Sequence, residues 1–228
     1  MKTVAHIYTD FPSKFGLPRQ AGLVGKLTAH IIFEPEYRNP DALRGLDGYS
    51  HIWLVWKFSE SVTDKFQPTV RPPRLGGNTK MGVFATRSPY RPNPIALSAV
   101  KIERIEFDTP KGPVITVSGA DCMDGTPIYD IKPYLSYTDS IADAAGGFAE
   151  EVMGYTLQVE IPDALLSSIP REKRDALIDL LSNDPRPSYQ DDSERVYGFV
   201  FSGFEIKFQV SADILTVKEI IKESDLFL

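Results

Sequence analysis

Polar side chains in this 228-residue chain gather on three stretches stiffened by proline: Pro18–Gly22, Pro68–Pro94 and Asp121–Tyr134. Proline removes backbone freedom in advance, so side chains on such loops meet a ligand with little further loss of entropy. The middle stretch carries positive charge. From Lys65 through Ile102 there is no Asp or Glu, while Lys65, Arg71, Arg74, Lys80, Arg87, Arg91 and Lys101 supply seven cations. The third stretch holds three carboxylates, Asp121, Asp124 and Asp130. Fixed cations attract anions such as a phosphate backbone, and a carboxylate within ~3 Å of a reacting group can take its proton. Both features also have plainer readings. The arginines can pair with acids elsewhere in the fold, and Asp124 beside Gly125 can stabilise an Asx turn. The residues alone lead to a soluble β-rich protein with a site for an anionic ligand.

Other chemistries are excluded by what is missing. No GxGxxG follows a strand, no GxxxxGK[ST] is present, and there is no GxSxG elbow, which disfavours Rossmann-type and P-loop enzymes. The single cysteine, Cys122, rules out an internal disulfide and a Cys-cluster metal site. His6, His30 and His51 lack ligand spacing, so no metal is expected. Outside the basic island the chain carries 18 basic against 31 acidic side chains, within a net charge of −6. The N-terminus has no apolar signal core, and no run approaches the ~20 residues of a membrane span. A cytoplasmic protein is the expectation.

The elements that must position these residues are short and mostly strands. Val4–Tyr8, Leu27–Phe33, Ser50–Phe58, Met81–Ala85, Ile95–Phe107 and Val114–Val117 read as strands, the Ser50–Phe58 strand apolar enough for burial on both faces. Asn39 is placed to cap a short helix opened by Pro40. Asp121–Tyr134 reads as a compact loop. Many short strands with closely spaced turns predict a mainly β fold, a small barrel that hides its edges. After about residue 140 the character changes. Arg171–Leu181 presents Ala176, Leu177, Leu180 and Leu181 as one helical stripe, and Val196–Phe201 and Phe204–Val210 flank a Ser202-Gly203 turn. The prediction is a barrel domain over 1–140 and a small α+β domain over 158–228.

Several long words sharpen this. Arg71-Pro72-Pro73-Arg74-Leu75-Gly76-Gly77-Asn78, then Gly82-Val83-Phe84-Ala85-Thr86-Arg87-Ser88-Pro89-Tyr90-Arg91-Pro92-Asn93-Pro94-Ile95, then Asp124-Gly125-Thr126-Pro127 and Asp130-Ile131-Lys132-Pro133-Tyr134 closely resemble the TsaA-like family. Pro18-Arg19-Gln20 and Ser50-His51-Ile52-Trp53 match as well, and the resemblance covers roughly residues 1–140. Asp184-Pro185-Arg186-Pro187 and Tyr197-Gly198-Phe199 are similar to the C-terminal extension of bacterial members. The resemblance implies a small β-barrel, commonly a homodimer, that uses S-adenosylmethionine to methylate N6 of threonylcarbamoyladenosine beside the tRNA anticodon. Carried over residue by residue, it implies cofactor contacts at Gln20, Ala21, Gly22, Glu60, Ser61, Arg87, Leu97, Cys122, Met123, Asp124 and Gly125. Ala96 stands where many members have glycine, and Ser59-Glu60-Ser61 where some have His-Gln-Thr.

Under that resemblance Asp130 is the expected general base, and Arg71, Arg74, Lys80, Arg91 and Arg186 are the expected contacts to the tRNA anticodon stem-loop. Tyr90 or Tyr134 is a candidate for stacking on a base. The segment beyond residue 158 is expected to assist tRNA docking and to leave the cofactor site intact. The rival reading is a noncatalytic barrel that binds modified anticodon loops.

Overall fold

The computed structural model describes residues 1–61, 65–72, 75, 79–152, 154–186 and 192–225. Its first eight strands are β1 (Ala5–Tyr8), β2 (Thr28–Phe33), β3 (His51–Lys57), β4 (Thr69–Val70), β5 (Met81–Gly82), β6 (Ile95–Glu106), β7 (Val114–Ser118) and β8 (Thr126–Pro133). Six of them close an antiparallel barrel in the order β1-β2-β7-β6-β3-β8, and β4 pairs with β5 in a separate two-stranded ladder. Closure leaves no exposed edge to template aggregation.

Period-two alternation sets the register. Ile52, Leu54 and Trp56 of β3 point inward with Ile7, Ile31, Val100, Ile115, Val117 and Ile128. The outer face of β3, with Trp53 and Val55, is only half-buried, so burial there is one-sided rather than complete.

Two further differences from the sequence reading have physical causes. Asp121–Tyr134 is not all loop, because Thr126–Pro133 forms β8, the strand that closes the barrel between β1 and β3. Proline is tolerated there because Pro127 precedes the stretch paired to β3 and lies beside β1 alone. Met81–Ala85 is strand only over Met81–Gly82. Val83–Ala85 turns as a 3₁₀ segment, with the Thr86 hydroxyl donating to the Val83 carbonyl at 2.9 Å.

After α1 (Ser136–Asp139) the chain builds β9 (Gln158–Glu160), α2 (Asp163–Leu166), α3 (Arg171–Ser182), β10 (Tyr197–Phe201), β11 (Phe204–Ser211) and β12 (Ile214–Lys222). These strands form one sheet, β10-β11-β12-β9, with β9 parallel to β12. Ser202 and Gly203 both adopt positive φ, 53° and 77°, as a two-residue hairpin requires. The stripe Ala176, Leu177, Leu180 and Leu181 of α3 is buried against Phe201, Ile206, Phe208, Val210, Leu215 and Val217. Among the described residues no helix is long and apolar enough to cross a membrane.

The apolar core of this sheet and helix is not built from the C-terminal segment alone. Phe11, Val24 and Leu27, from the connection between β1 and β2, belong to it. Gly16 sits so close to Phe199 that a Cβ there would lie 2.3 Å from the ring, and its φ of +82° also favours glycine. The Ser202 amide donates to the Asp10 carbonyl at 2.9 Å, and Lys173 pairs with the Asp10 carboxylate.

Candidate active site

Connections 9–27, 58–94 and 119–125 leave the barrel at one end and meet there. Gly22 donates its amide to the Gly119 carbonyl at 2.8 Å, Asp124 donates to the Phe11 carbonyl at 2.8 Å, and Gly125 donates to the Ile7 carbonyl at 2.9 Å. Gly119 has φ +79° and approaches Gly22 closely enough that a Cβ would lie 3.3 Å from its Cα. The first two stretches that the sequence singled out, and the start of the third, therefore share one mouth.

At that mouth Arg87 donates through Nη1 to Gln20 Oε1 at 2.6 Å. Behind them lies Asp121, which the sequence reading did not name as a site residue. Trp56 Nε1 donates to Ser98 Oγ at 2.9 Å, so the one proton of that hydroxyl is turned to Asp121 Oδ1, 2.6 Å away. Burial pushes the Asp121 carboxyl up from its ordinary value. Hydrogen bonds from Ser98 and from the backbone amides of Asp121 and Ala21, and the positive charge of Arg87, work against that push. A buried carboxyl raised in this way behind a cleft-lining guanidinium is a candidate functional group. The signal in the sequence was a lone carboxylate just after the buried run Ile115–Ala120.

The other expected cofactor contacts divide. Gln20, Ala21 and Gly22 join Arg87 at the mouth, directly or through Asp121 and Gly119. Glu60 and Ser61 follow β3 at the same end, Glu60 exposed and Ser61 half-buried. Leu97 lies two residues into β6 opposite Val55, with more than half its surface exposed. Cys122 is fully buried in the barrel core, so its side chain is closed to a ligand, and its carbonyl accepts from Thr9 Oγ1 at 3.1 Å. Burial and then the Asp121 charge push its thiol well up, which rules it out as a nucleophile. Met123 is half-buried. Asp124 accepts the Thr9 amide at 2.9 Å and Gly125 turns with φ +71°, so both hold the loop's shape.

Asp130 is not part of this cluster. It opposes Val55 on the outer face of the barrel, about half its side chain is exposed, and Lys132 Nζ lies 3.1 Å from its carboxylate. A register shift in the β3–β8 ladder dictates that direction: Ile128 opposes the inward Trp56, and Asp130, two residues on, opposes the outward Val55.

The mouth opens into a cleft of about 1980 Å³, lined by residues 14–20, Leu23, 65–67, 69–72, 80–81, 84–92 and 146–150 and by Pro185 and Arg186. Its volume exceeds the ~300–1,000 Å³ of an ordinary small-molecule pocket, which leaves room for a polymer. Arg71 and Lys80 are exposed on its wall. Arg91 is half-buried and spends Nη1 on the carbonyls of Val83, Thr86 and Ser88, at 3.4, 2.7 and 3.4 Å. Arg74 lies outside the described residues. Arg186 is a correction: it is 8% exposed and holds Asp184 through two hydrogen bonds, Nε to Oδ1 at 2.9 Å and Nη2 to Oδ2 at 3.0 Å. That pair fixes a turn in which Asp184 adopts φ 51°, and Arg19 donates to the Asp184 and Arg186 carbonyls at 2.9 Å each. Tyr134 lies at the opposite barrel end, packed on Trp53 and His51, which leaves Tyr90, of the two, as the one lining the cleft.

The chain has relatives among known proteins. The family model described as the tRNA-methyltransferase O N-terminal domain matches residues 6–140, and the corresponding C-terminal domain model matches residues 155–223. A tRNA (adenine(37)-N6)-methyltransferase of Escherichia coli K12 is 37% identical over 214 residues, 90% of either chain. An enzyme of the same name from Eikenella corrodens is 44% identical over 174 residues, 76% of this chain and 97% of that one. Other relatives carry S-adenosylmethionine in their names. The crystal structure of TrmO from Pseudomonas aeruginosa superposes with a TM-score of 0.77 at 28% identity, covering 96% of each chain. The chain therefore belongs to the tRNA-methyltransferase O family.

Proposed function

We propose that this chain is a tRNA methyltransferase that moves a methyl group from S-adenosylmethionine to N6 of adenosine 37, carried as threonylcarbamoyladenosine beside the anticodon. We propose further that it works in the cytoplasm as a homodimer, with 1–140 as the methyl-transfer domain and 158–228 as a unit that assists tRNA docking. The observation that carries the reading is the meeting of three loops at one barrel mouth, with the Arg87–Gln20 bond at its centre, the Asp121 carboxylate behind that pair and a basic cleft beyond it. The noncatalytic alternative is set aside, because relatives matched over most of their length are named as methyltransferases.

The donor set suits the cofactor. The Arg87 guanidinium offers a partner to the carboxylate of an amino-acid moiety, and the open face of Gly22 lets a ligand approach backbone. S-adenosylmethionine, when bound, supplies a methyl group on a positively charged sulfonium. Gln20–Gly22 and Arg87 then hold and orient it, and Arg71 and Lys80 hold phosphates so that N6 approaches in line. Positioning of this kind is worth as much as ~7–11 kcal/mol.

The acceptor nitrogen shares its lone pair with a ring and a carbamoyl group, so removal of its proton matters. Asp130 sits on the outer face of the barrel and Asp121 directly behind the Arg87–Gln20 pair, which favours Asp121 for the base assignment. Asparagine at either position keeps shape and removes basicity. Asp121→Asn should lower single-turnover methylation by roughly 10²–10⁴-fold, with Asp130→Asn close to normal. A loss confined to Asp130→Asn would return the role to the outer face.

Mass spectrometry of anticodon nucleosides, after hypomodified tRNA is incubated with protein and S-adenosylmethionine, tests the function itself. The expected product is the N6-methylated threonylcarbamoyladenosine. Cofactor and tRNA binding without that product would refute the proposal.

A further inference from the structure

Two large aromatic side chains stand in water on the wall of the cleft. Phe84 is 72% exposed and Phe66 60%, their ring centroids are 6.3 Å apart, and their planes are inclined by only 26°. The backbone holds them together. The β4–β5 ladder pairs Thr69 with Gly82 and Val70 with Met81, and the Val83 amide extends it by donating to the Pro68 carbonyl at 2.9 Å. Phe84 is therefore presented on a tight turn rather than dangling from a long loop. The guanidinium carbon of Arg91 lies 5.9 Å from its ring centroid, and that guanidinium is itself anchored to three backbone carbonyls.

Folding ordinarily removes such surfaces from water, and an adjacent pair left exposed marks a contact surface. Charge decides which partner fits. Lys65, Arg71 and Lys80 line the same cleft as the pair, and the sequence from Lys65 to Ile102 contains no acid. A second copy of this chain would bring the same cations face to face with these. A single-stranded polyanion with flat apolar faces meets both features at once, cations for its phosphates and rings for its bases.

We propose that Phe84, braced by Arg91 and flanked by Phe66, is a stacking platform for an unpaired nucleobase of the anticodon loop. The proposal rests on the tRNA reading above and adds to it the residue that seats a base. Tyr90, which lines the same cleft, is a neighbour of this platform rather than its centre.

The test uses the full chain and an anticodon stem-loop RNA carrying 2-aminopurine at single loop positions. Wild-type protein should quench one of these positions on binding. Phe84→Ala should abolish that quench and raise the RNA Kd by roughly 5- to 150-fold, the loss of one base stack. Phe84→Leu keeps apolar area without a π face and should also lose the quench, whereas Phe84→Tyr should keep it. S-adenosylmethionine affinity should stay at the wild-type value in all three. Because the side chain is mostly exposed, circular dichroism should show folded variants. Unchanged quench and RNA affinity in Phe84→Ala would overturn the platform while leaving the tRNA reading intact. An altered oligomeric state in sedimentation with RNA affinity unchanged would assign the pair to a protein interface and also overturn it. Failure of wild-type protein to bind the RNA at all would remove both readings.

Discussion

The two apolar cores of this molecule are assembled differently. The barrel core draws on strands that bury one alternating face each, and among the described residues none beyond 140 belongs to its buried set. The C-terminal core takes Phe11, Val24 and Leu27 from the β1–β2 connection, 130 and more residues earlier in the chain. The difference bears directly on the site, because Gln20–Gly22 lies inside that borrowed connection. Gly16 and Arg19 tie one half of it to Phe199 and the 184–186 turn, while Gln20 and Gly22 tie the other half to Arg87 and Gly119. The loop that the cofactor proposal needs is strung between the two cores.

The largest expected effect comes from cutting this link. A chain ending at residue 140 would expose Phe11, Val24 and Leu27, each worth ~1.5–3 kcal/mol of burial. It should lose S-adenosylmethionine binding by calorimetry, contrary to the expectation that the barrel alone keeps its site. Retained affinity in that shortened chain would make the two cores independent. Next comes Arg186→Ala, which strands the buried Asp184 carboxylate and should destabilise the protein by about 3–5 kcal/mol in urea unfolding. Its effect on the salt dependence of tRNA binding should be negligible. Arg71→Ala and Lys80→Ala should behave in the opposite way, with stability unchanged and the logarithmic salt slope reduced by about 0.7–0.9 for each phosphate left without its cation.

The smallest effect is electrostatic. The folded state holds the proton of Asp121 more tightly than the unfolded chain does, so ionisation of this group costs stability at neutral pH. That cost is relieved as pH falls through the raised value and is gone below the unfolded value of ~3.9. Asp121→Asn should therefore be no less stable than wild type at pH 7, and its advantage should vanish at low pH, as read by thermal unfolding across pH. The rising limb of the activity profile should flatten in the same variant. A variant less stable than wild type at pH 7 would mean that hydrogen bonding, not burial, dominates at this carboxylate.

The sequence carried the barrel strands well because alternation survives wherever one face is buried, as in Ile52, Leu54 and Trp56. It carried the α3 stripe for the same reason. It failed at Thr126–Pro133, where two prolines mask a strand whose donors are not all needed, and at β12, whose pairing with the distant β9 no local pattern announces. Arg186 misled because charge is visible in a sequence and its Asp184 partner's geometry is not. Asp121 was legible only as one of three carboxylates, because its significance comes from Ser98, Trp56 and Arg87, contributed by three separate segments. The three loops were legible as rigid and polar; that they face one another depends on barrel closure.

The most direct measurement of the central claim is calorimetric titration of S-adenosylmethionine into the full chain and into its Arg19→Ala variant. Arg19 touches the 184–186 carbonyls on the C-terminal side, while the neighbouring Gln20 side chain contacts Arg87 on the barrel side. If the loop is held between the two cores, the folded variant should bind the cofactor at least about tenfold more weakly, one charged hydrogen bond's worth of positioning. Arg19→Lys should recover only part of that loss. Wild-type affinity in a folded Arg19→Ala protein would contradict the claim and make the C-terminal unit a bystander to methyl transfer.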